Sequence, residues 1–150
     1  MEDTMLLQNA LNQFFYTITI NELQLMNEKF QSLNVTYNSL LYLDIIAYTK
    51  QCTTTFLAQS LHISKSAVTI KINEMVKQGL IIKQQSEEDK RVFFLKLNED
   101  IAEIYRKYDK ALYKAIETAD KTYSKQELEN FCQIMSDIQK IYIEEIYNEK

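Results

Sequence analysis

The sequence predicts a mostly α-helical chain with one small two-stranded β wing. Three observations predict it. A single Gly and no Pro in 150 residues leave little to interrupt long helices. Apolar residues recur at three- and four-residue spacings through most of the chain. Only after Gly79 does the period change to two, over Leu80 to Gln85 and Arg91 to Leu97. The length suits one domain, 1–150, with a central part at about 36–97 and flanking helices at about 4–30 and 98–148.

Asp3 or Thr4 is placed to cap a first helix that runs to about Phe30. Leu7, Leu11, Phe14, Phe15, Ile18, Leu25 and Met26 form a broad stripe along it, wide enough to need burial against a second subunit as well as its own domain. Thr36 caps the next helix, in which Leu40, Leu41, Leu43, Ile45, Ile46 and Ala47 leave almost no polar face. Such a helix is a buried pillar, with Tyr37, Tyr42 and Tyr48 as core or boundary residues.

Thr53 caps a short helix that turns Leu57 and Leu61 inward. Beyond His62 and Ile63, Ser64 is a strong cap for a further helix, and at 100° per residue that helix has two faces. Val68, Ile72, Met75, Val76 and Gly79 lie on one side; Ser66, Ile70, Asn73 and Lys77 lie opposite, flanked by Thr69 and Lys71. Gly79 follows, where a left-handed residue ends a helix cheaply. Two strands joined by SEEDKR complete a helix, turn, helix and wing. Asn98 then caps a long helix with Ile101, Ile104, Tyr105, Tyr108, Leu112 and Ile116 on one stripe. After a DKTY link, Ser124 and Glu127 form a capping box for the last helix, striped by Leu128, Phe131, Met135, Ile138, Tyr142 and Ile146. Two long amphipathic helices so joined read as a helical hairpin with apolar surface left over for a second subunit.

The outer face of the Ser64-capped helix suits a DNA major groove, because small hydroxyls and an amide let the backbone approach while still hydrogen bonding. On that reading Asn73 pairs with adenine, Ala67 and Ile70 touch a thymine methyl, and Ser64, Lys65 and Ser66 offer backbone N–H groups to a phosphate. Thr54 in the shorter helix joins the DNA-facing set, with Thr69, Lys71 and Lys77. The formal charge of −4 argues against a nucleic-acid partner only until it is mapped. From His62 to Leu97 seven basic residues face four acidic ones, so this stretch carries +3 and the rest −7.

LAQSLHISKSAVTIKINEMVKQGLI followed by SEEDKRVFFLKL resembles the MarR family of bacterial winged helix-turn-helix regulators. The matching positions are Leu57 and Ala58; Ser64, Ser66, Val68 and Thr69; Gly79 and Leu80; Asp89 and Arg91. The resemblance implies a homodimeric transcriptional regulator, usually a repressor, whose N- and C-terminal helices dimerise. It implies that Arg91 or its neighbour Lys90 reaches the minor groove or a phosphate, and that Asp89 holds Arg91 through a salt bridge. A two-fold dimer would set its recognition helices about 34 Å apart on a pseudo-palindromic double-stranded operator. A small-molecule effector would sit in the family's cleft between the dimer helices and the reading domain. Tyr16, Tyr42 and Tyr105 are candidates for that cleft, with core packing preferred. Glu87 and Glu88 in the wing, and Ile70 where many relatives carry a basic residue, depart from the pattern and lower the expected attraction to DNA.

The alternative is a winged-helix protein–protein interaction module, or an anti-regulator with little DNA affinity. An enzyme is the weakest reading, since there is no Gly-rich phosphate loop or nucleophile elbow and one His cannot supply a metal cluster. Neither a cofactor nor a metal is expected. Cys52 and Cys132 lack CxxC spacing and read as plain thiols. No apolar run reaches the ~18 residues of a membrane span, and the N-terminus has no signal-peptide pattern, so the expected location is the cytoplasm.

Overall fold

The computed structural model describes residues 2–30 and 35–148. The helices are α1 (Glu2–Leu25), α2 (Tyr37–Tyr48), α3 (Thr54–Ser60), α4 (Lys65–Lys77), α5 (Glu99–Thr122) and α6 (Lys125–Asn148). Strands β1 (Ile81–Gln85) and β2 (Phe93–Leu97) lie between α4 and α5. A π-helical turn, Met26–Phe30, follows α1, so the regular helix stops five residues before the expected end at Phe30. The side chains of Asp3 and Thr4, the expected first caps, lie outside the described ones. The chain forms two compact units, Met1–Tyr105 and Arg106–Lys150.

In the first unit the caps are local hydrogen bonds. Thr36 Oγ1 accepts from the Ser39 N–H at 3.1 Å, and Thr53 Oγ1 accepts from the Phe56 N–H at the same distance. α2 supplies Leu40, Leu43 and Ile46 to the core, joined by Phe30, Leu57 of α3, Val68, Ile72 and Met75 of α4, and Ile101 of α5. Fully burying each such side chain contributes roughly 1.5–3 kcal/mol. α2 is less enclosed than its composition suggests, because Leu41 is exposed and Ile45 and Ala47 are only half-buried. Tyr42 is buried, whereas Tyr37 and Tyr48 face outward.

The two strands pair antiparallel, with Ile81 opposite Leu97 and Gln85 opposite Phe93. Both are shorter than expected: Leu80 and residues 91–92 fall outside the ladder. Ile81 and Leu95 are the buried anchors of the sheet. The Leu95 N–H donates to the Cys52 carbonyl at 2.8 Å, which ties β2 to the chain entering α3. Cys52 is fully buried, and desolvation pushes its thiol up to about 11, so it stays protonated at neutral pH.

The second unit contains most of α5 and all of α6. Only Tyr123 and Ser124 separate the two helices, a shorter link than DKTY because α5 continues to Thr122. The capping box is formed: Glu127 Oε2 accepts from the Ser124 N–H at 2.7 Å, and Ser124 Oγ accepts from the Glu127 N–H at 3.4 Å. Leu112, Ile116, Phe131, Ile141 and Ile146 are exposed. Among the described residues no helix is long and apolar enough to cross a membrane.

Candidate nucleic-acid interface

Both α3 and α4 end in a hydrogen-bonded stop. At the end of α4 the Gly79 N–H donates to the Val76 carbonyl and the Leu80 N–H to the Met75 carbonyl, both at 3.0 Å. This is a Schellman motif, with Gly79 at φ +71°. α3 ends the same way with a different residue: the His62 N–H donates to Gln59 at 3.3 Å and the Ile63 N–H to Ala58 at 3.1 Å. His62 takes the left-handed place at φ +52°, which nothing in the sequence pattern signals. The chain leaves that turn directly into Ser64, whose Oγ accepts from the Ala67 N–H at 3.2 Å and shares a hydrogen bond with Ser66 Oγ at 3.0 Å.

α4 therefore presents a defined face. Val68, Ile72 and Met75 are buried, while Ser66, Ala67, Thr69, Ile70, Asn73 and Lys77 are exposed. Ile70 projects into solvent, at 71 % exposure. Thr69 donates its hydroxyl to the Lys65 carbonyl at 2.7 Å, leaving outward a lone pair and a methyl group. Three residues differ from the helical-wheel reading. Val76, assigned to the inner side, is exposed, as is Gly79 just beyond the helix. The Lys71 side chain is only 14 % exposed and its Nζ pairs with Glu74 Oε1 at 3.1 Å, so its charge is engaged along α4 rather than offered outward.

The wing is ordered by hydrogen bonds within its own loop. Ser86 is buried; its Oγ accepts from the N–H groups of Glu88 and Asp89 at 3.3 Å, and its N–H donates to the Val92 carbonyl. Asp89 Oδ1 accepts from the backbone N–H and the Nε of Arg91 at 2.9 and 3.1 Å, while Oδ2 accepts from the second guanidinium nitrogen at 3.1 Å. The pair forms in the turn before β2, not on the strand. These bonds hold the Asp89 carboxyl below its usual range and raise Arg91 further, so both stay charged at any pH of interest. The Arg91 side chain remains 91 % exposed at the wing tip. Lys90 is exposed too, and its carbonyl accepts from Gln85 Nε2 at 2.7 Å.

Between α3, α4 and β2 lies an open cleft of about 500 Å³. It gathers Thr54 from α3, Lys65 from α4 and Arg91 from the wing, three residues chosen from separate stretches of sequence. It also brings in Thr53, Thr55, Lys83 and Phe93, which the sequence reading did not select. Lys83 stands in the basic stretch, so its charge was visible, but its position was not. Its Nζ donates to Asn73 Oδ1 at 2.7 Å, linking the first wing strand to the outer face of α4. Lys77 lies twelve residues beyond Lys65, roughly 18 Å along the axis, and belongs to the far end of the face.

Away from this face, the three tyrosines weighed for an effector cleft do not share one environment. Tyr16 is exposed, whereas Tyr42 and Tyr105 are buried. Among the described residues no three His, Cys, Asp or Glu side chains group so as to hold a metal ion.

Residues 35–93 match the model of the MarR family. Nearly the whole chain superposes on solved structures of similar architecture. With FabT of Streptococcus pneumoniae in complex with DNA it shares 20 % identity, covering 93 % of this chain and 96 % of that one at a TM-score of 0.64. With Staphylococcus aureus MarR in complex with salicylate and kanamycin it shares 26 % identity, covering 94 % and 95 % at a TM-score of 0.56. A transcriptional regulator from Thermotoga maritima is 15 % identical over 96 % of this chain and 97 % of that one, at a TM-score of 0.57. No curated protein matches. The mostly helical fold with its two-stranded wing is that of these structures, and over residues 35–93 the chain is similar to the MarR family, whose members are transcription regulators.

Proposed function

We propose that this DNA-binding transcription regulator acts as a homodimer on a pseudo-palindromic double-stranded operator, as a repressor released by a small-molecule effector. The observation that carries the reading is the outward face of α4, bordered by a cleft where Lys65, Lys83 and Arg91 converge. Ser64, Lys65 and Ser66 offer the free N–H groups of the α4 N-terminus to a phosphate. Ser66, Ala67, Thr69, Ile70, Asn73 and Lys77 face the bases and the groove walls, with Thr54 and the wing residues Lys90 and Arg91 on the backbone. Lys71, paired with Glu74, contributes least. The neighbouring FabT structure contains DNA, which supports this partner.

Dimerisation is supported by apolar surface. Within the first unit Met5, Leu6, Phe14 and Phe15 of α1 are exposed; within the second, Leu112, Ile116, Phe131, Ile141 and Ile146 are. Apolar area on this scale marks an association surface. In this proposal the chain works as one domain, with 36–97 reading DNA and the helices at 4–30 and 98–148 pairing two copies in the cytoplasm. The Staphylococcus aureus neighbour holds salicylate and kanamycin, which supports a small-molecule effector. Such a ligand acts only if it binds one spacing of the two heads more tightly than the other.

Glu87 and Glu88, both exposed in the wing, favour a second reading as a protein–protein module. Selection of bound fragments from a random duplex pool tests the two together. The operator reading expects an inverted repeat with centres about ten base pairs apart and an affinity that falls steeply with salt. A pool returned without enrichment at low salt removes it.

A further inference from the structure

The accepting edge of Asn73 already lies against a cation. Lys83 Nζ donates to Asn73 Oδ1 at 2.7 Å, from a strand ten residues further along the chain. An ammonium has donors and no acceptor, so it must meet the amide oxygen and not the nitrogen. Both residues are exposed, and among the described residues no bond to the Asn73 amide nitrogen accompanies this contact. The Nδ2 donors therefore remain available, next to the remaining N–H groups of Lys83.

An unconstrained Asn recognises adenine by accepting from N6 and donating to N7. Here the accepting atom already lies against a positive charge. The oxygen keeps a second lone pair, but an adenine N6 amino group brought to it would lie beside the ammonium, where the two sets of N–H donors repel each other. Guanine instead presents two acceptors, O6 and N7, to the major groove. We propose that Lys83 is a specificity-determining residue, which with Asn73 forms a donor-only pair selecting guanine over adenine at one position of each half-site. This rests on the operator reading above and deepens it: repulsion of adenine does as much as attraction of guanine.

The experiment is selection from a random duplex pool with the wild-type chain, Lys83→Met and Lys83→Arg, followed by affinity measurement on the winning site and its single G-to-A variant. Lys83→Met keeps the apolar stem on an exposed strand and removes only the ammonium, and the melting temperature checks that each variant is folded. The wild-type chain is expected to prefer guanine by about tenfold or more, the range of one good base pairing. Lys83→Met should reverse that preference towards adenine, and Lys83→Arg should retain guanine. A Lys83→Met chain that loses affinity equally on both sites, with a shallower salt dependence, would make Lys83 a phosphate contact and overturn the inference. Retention of the wild-type preference in Lys83→Met overturns it too, with the operator reading intact. A wild-type chain that enriches no sequence takes down both.

Discussion

Tyr105 donates its phenolic hydrogen to Oδ1 of Asp44 at 2.5 Å, joining α5 to α2 across 61 positions of sequence. Burial is the main cause that lifts the Tyr105 hydroxyl well above its ordinary range, so it remains a donor throughout. Burial also raises Asp44, with the Tyr105 bond working the other way. Glu22 of α1 is raised by desolvation first and by the charge of Asp44 second.

An acid whose folded pKa lies above its unfolded value favours the fold below the unfolded value and loses that contribution as pH rises through the folded one. Glu22 and Asp44 should therefore cost stability progressively above about pH 4, where unfolded carboxyls ionise. Asp44→Asn keeps an acceptor for Tyr105 and removes the charge. Its melting temperature should vary less between pH 4 and 7 than that of the parent, and exceed it at pH 7. Identical pH profiles for the two would show that this cluster does not couple to folding.

Tyr105→Phe leaves a half-buried carboxylate without its donor and should cost on the order of 1–3 kcal/mol. Urea unfolding at pH 7 measures it. The loss should shrink in acid, where a protonated Asp44 has less need of a donor.

Gly79→Ala places a Cβ in open space, its nearest neighbour being Asn98 Nδ2 at 4.0 Å, so conformational strain acts alone. A left-handed L-residue costs roughly 1–2 kcal/mol, or about 2–8 °C for a chain of this size. A thermal melt without a shift would mean that the end of α4 rearranges at no cost.

Arg91→Ala should lower operator affinity about tenfold and reduce the salt dependence by close to one ion, leaving melting unchanged because the side chain projects from the wing. Equal affinity for the variant and the parent would remove the wing tip from DNA binding.

Leu112→Glu with Ile116→Glu introduces charge onto the exposed stripe of α5. Sedimentation should show a monomer whose melting no longer depends on concentration. Operator affinity should fall by 10² or more, about what linking two sites contributes. A dimer that survives both changes would place the subunit contact elsewhere.

Local chemistry along the chain settles whatever a single turn of backbone can settle. The caps at Thr36, Thr53, Ser64 and Ser124, and the stop at Gly79, were all readable. Each rests on bonds reaching three to five residues, and side-chain type controls those directly. The core stripe of Val68, Ile72 and Met75 was equally legible from its period. Lys71 marks the edge of that method: a helical wheel assigns direction but not the ion pair with Glu74 that draws its charge along the helix.

Tertiary structure alone decided which distant groups meet. The packing of β1 beside α4 places Lys83 against Asn73, and core packing brings Tyr105 to Asp44. The left-handed turn at His62 likewise belongs to the way α3 must end for α4 to reach its place, at a residue that takes this conformation less readily than Gly. Periodicity carries no information about such pairs. Their geometry follows from how strands and helices close on one core, and the free energy that selects it is spread over every buried side chain rather than held in the residues that touch.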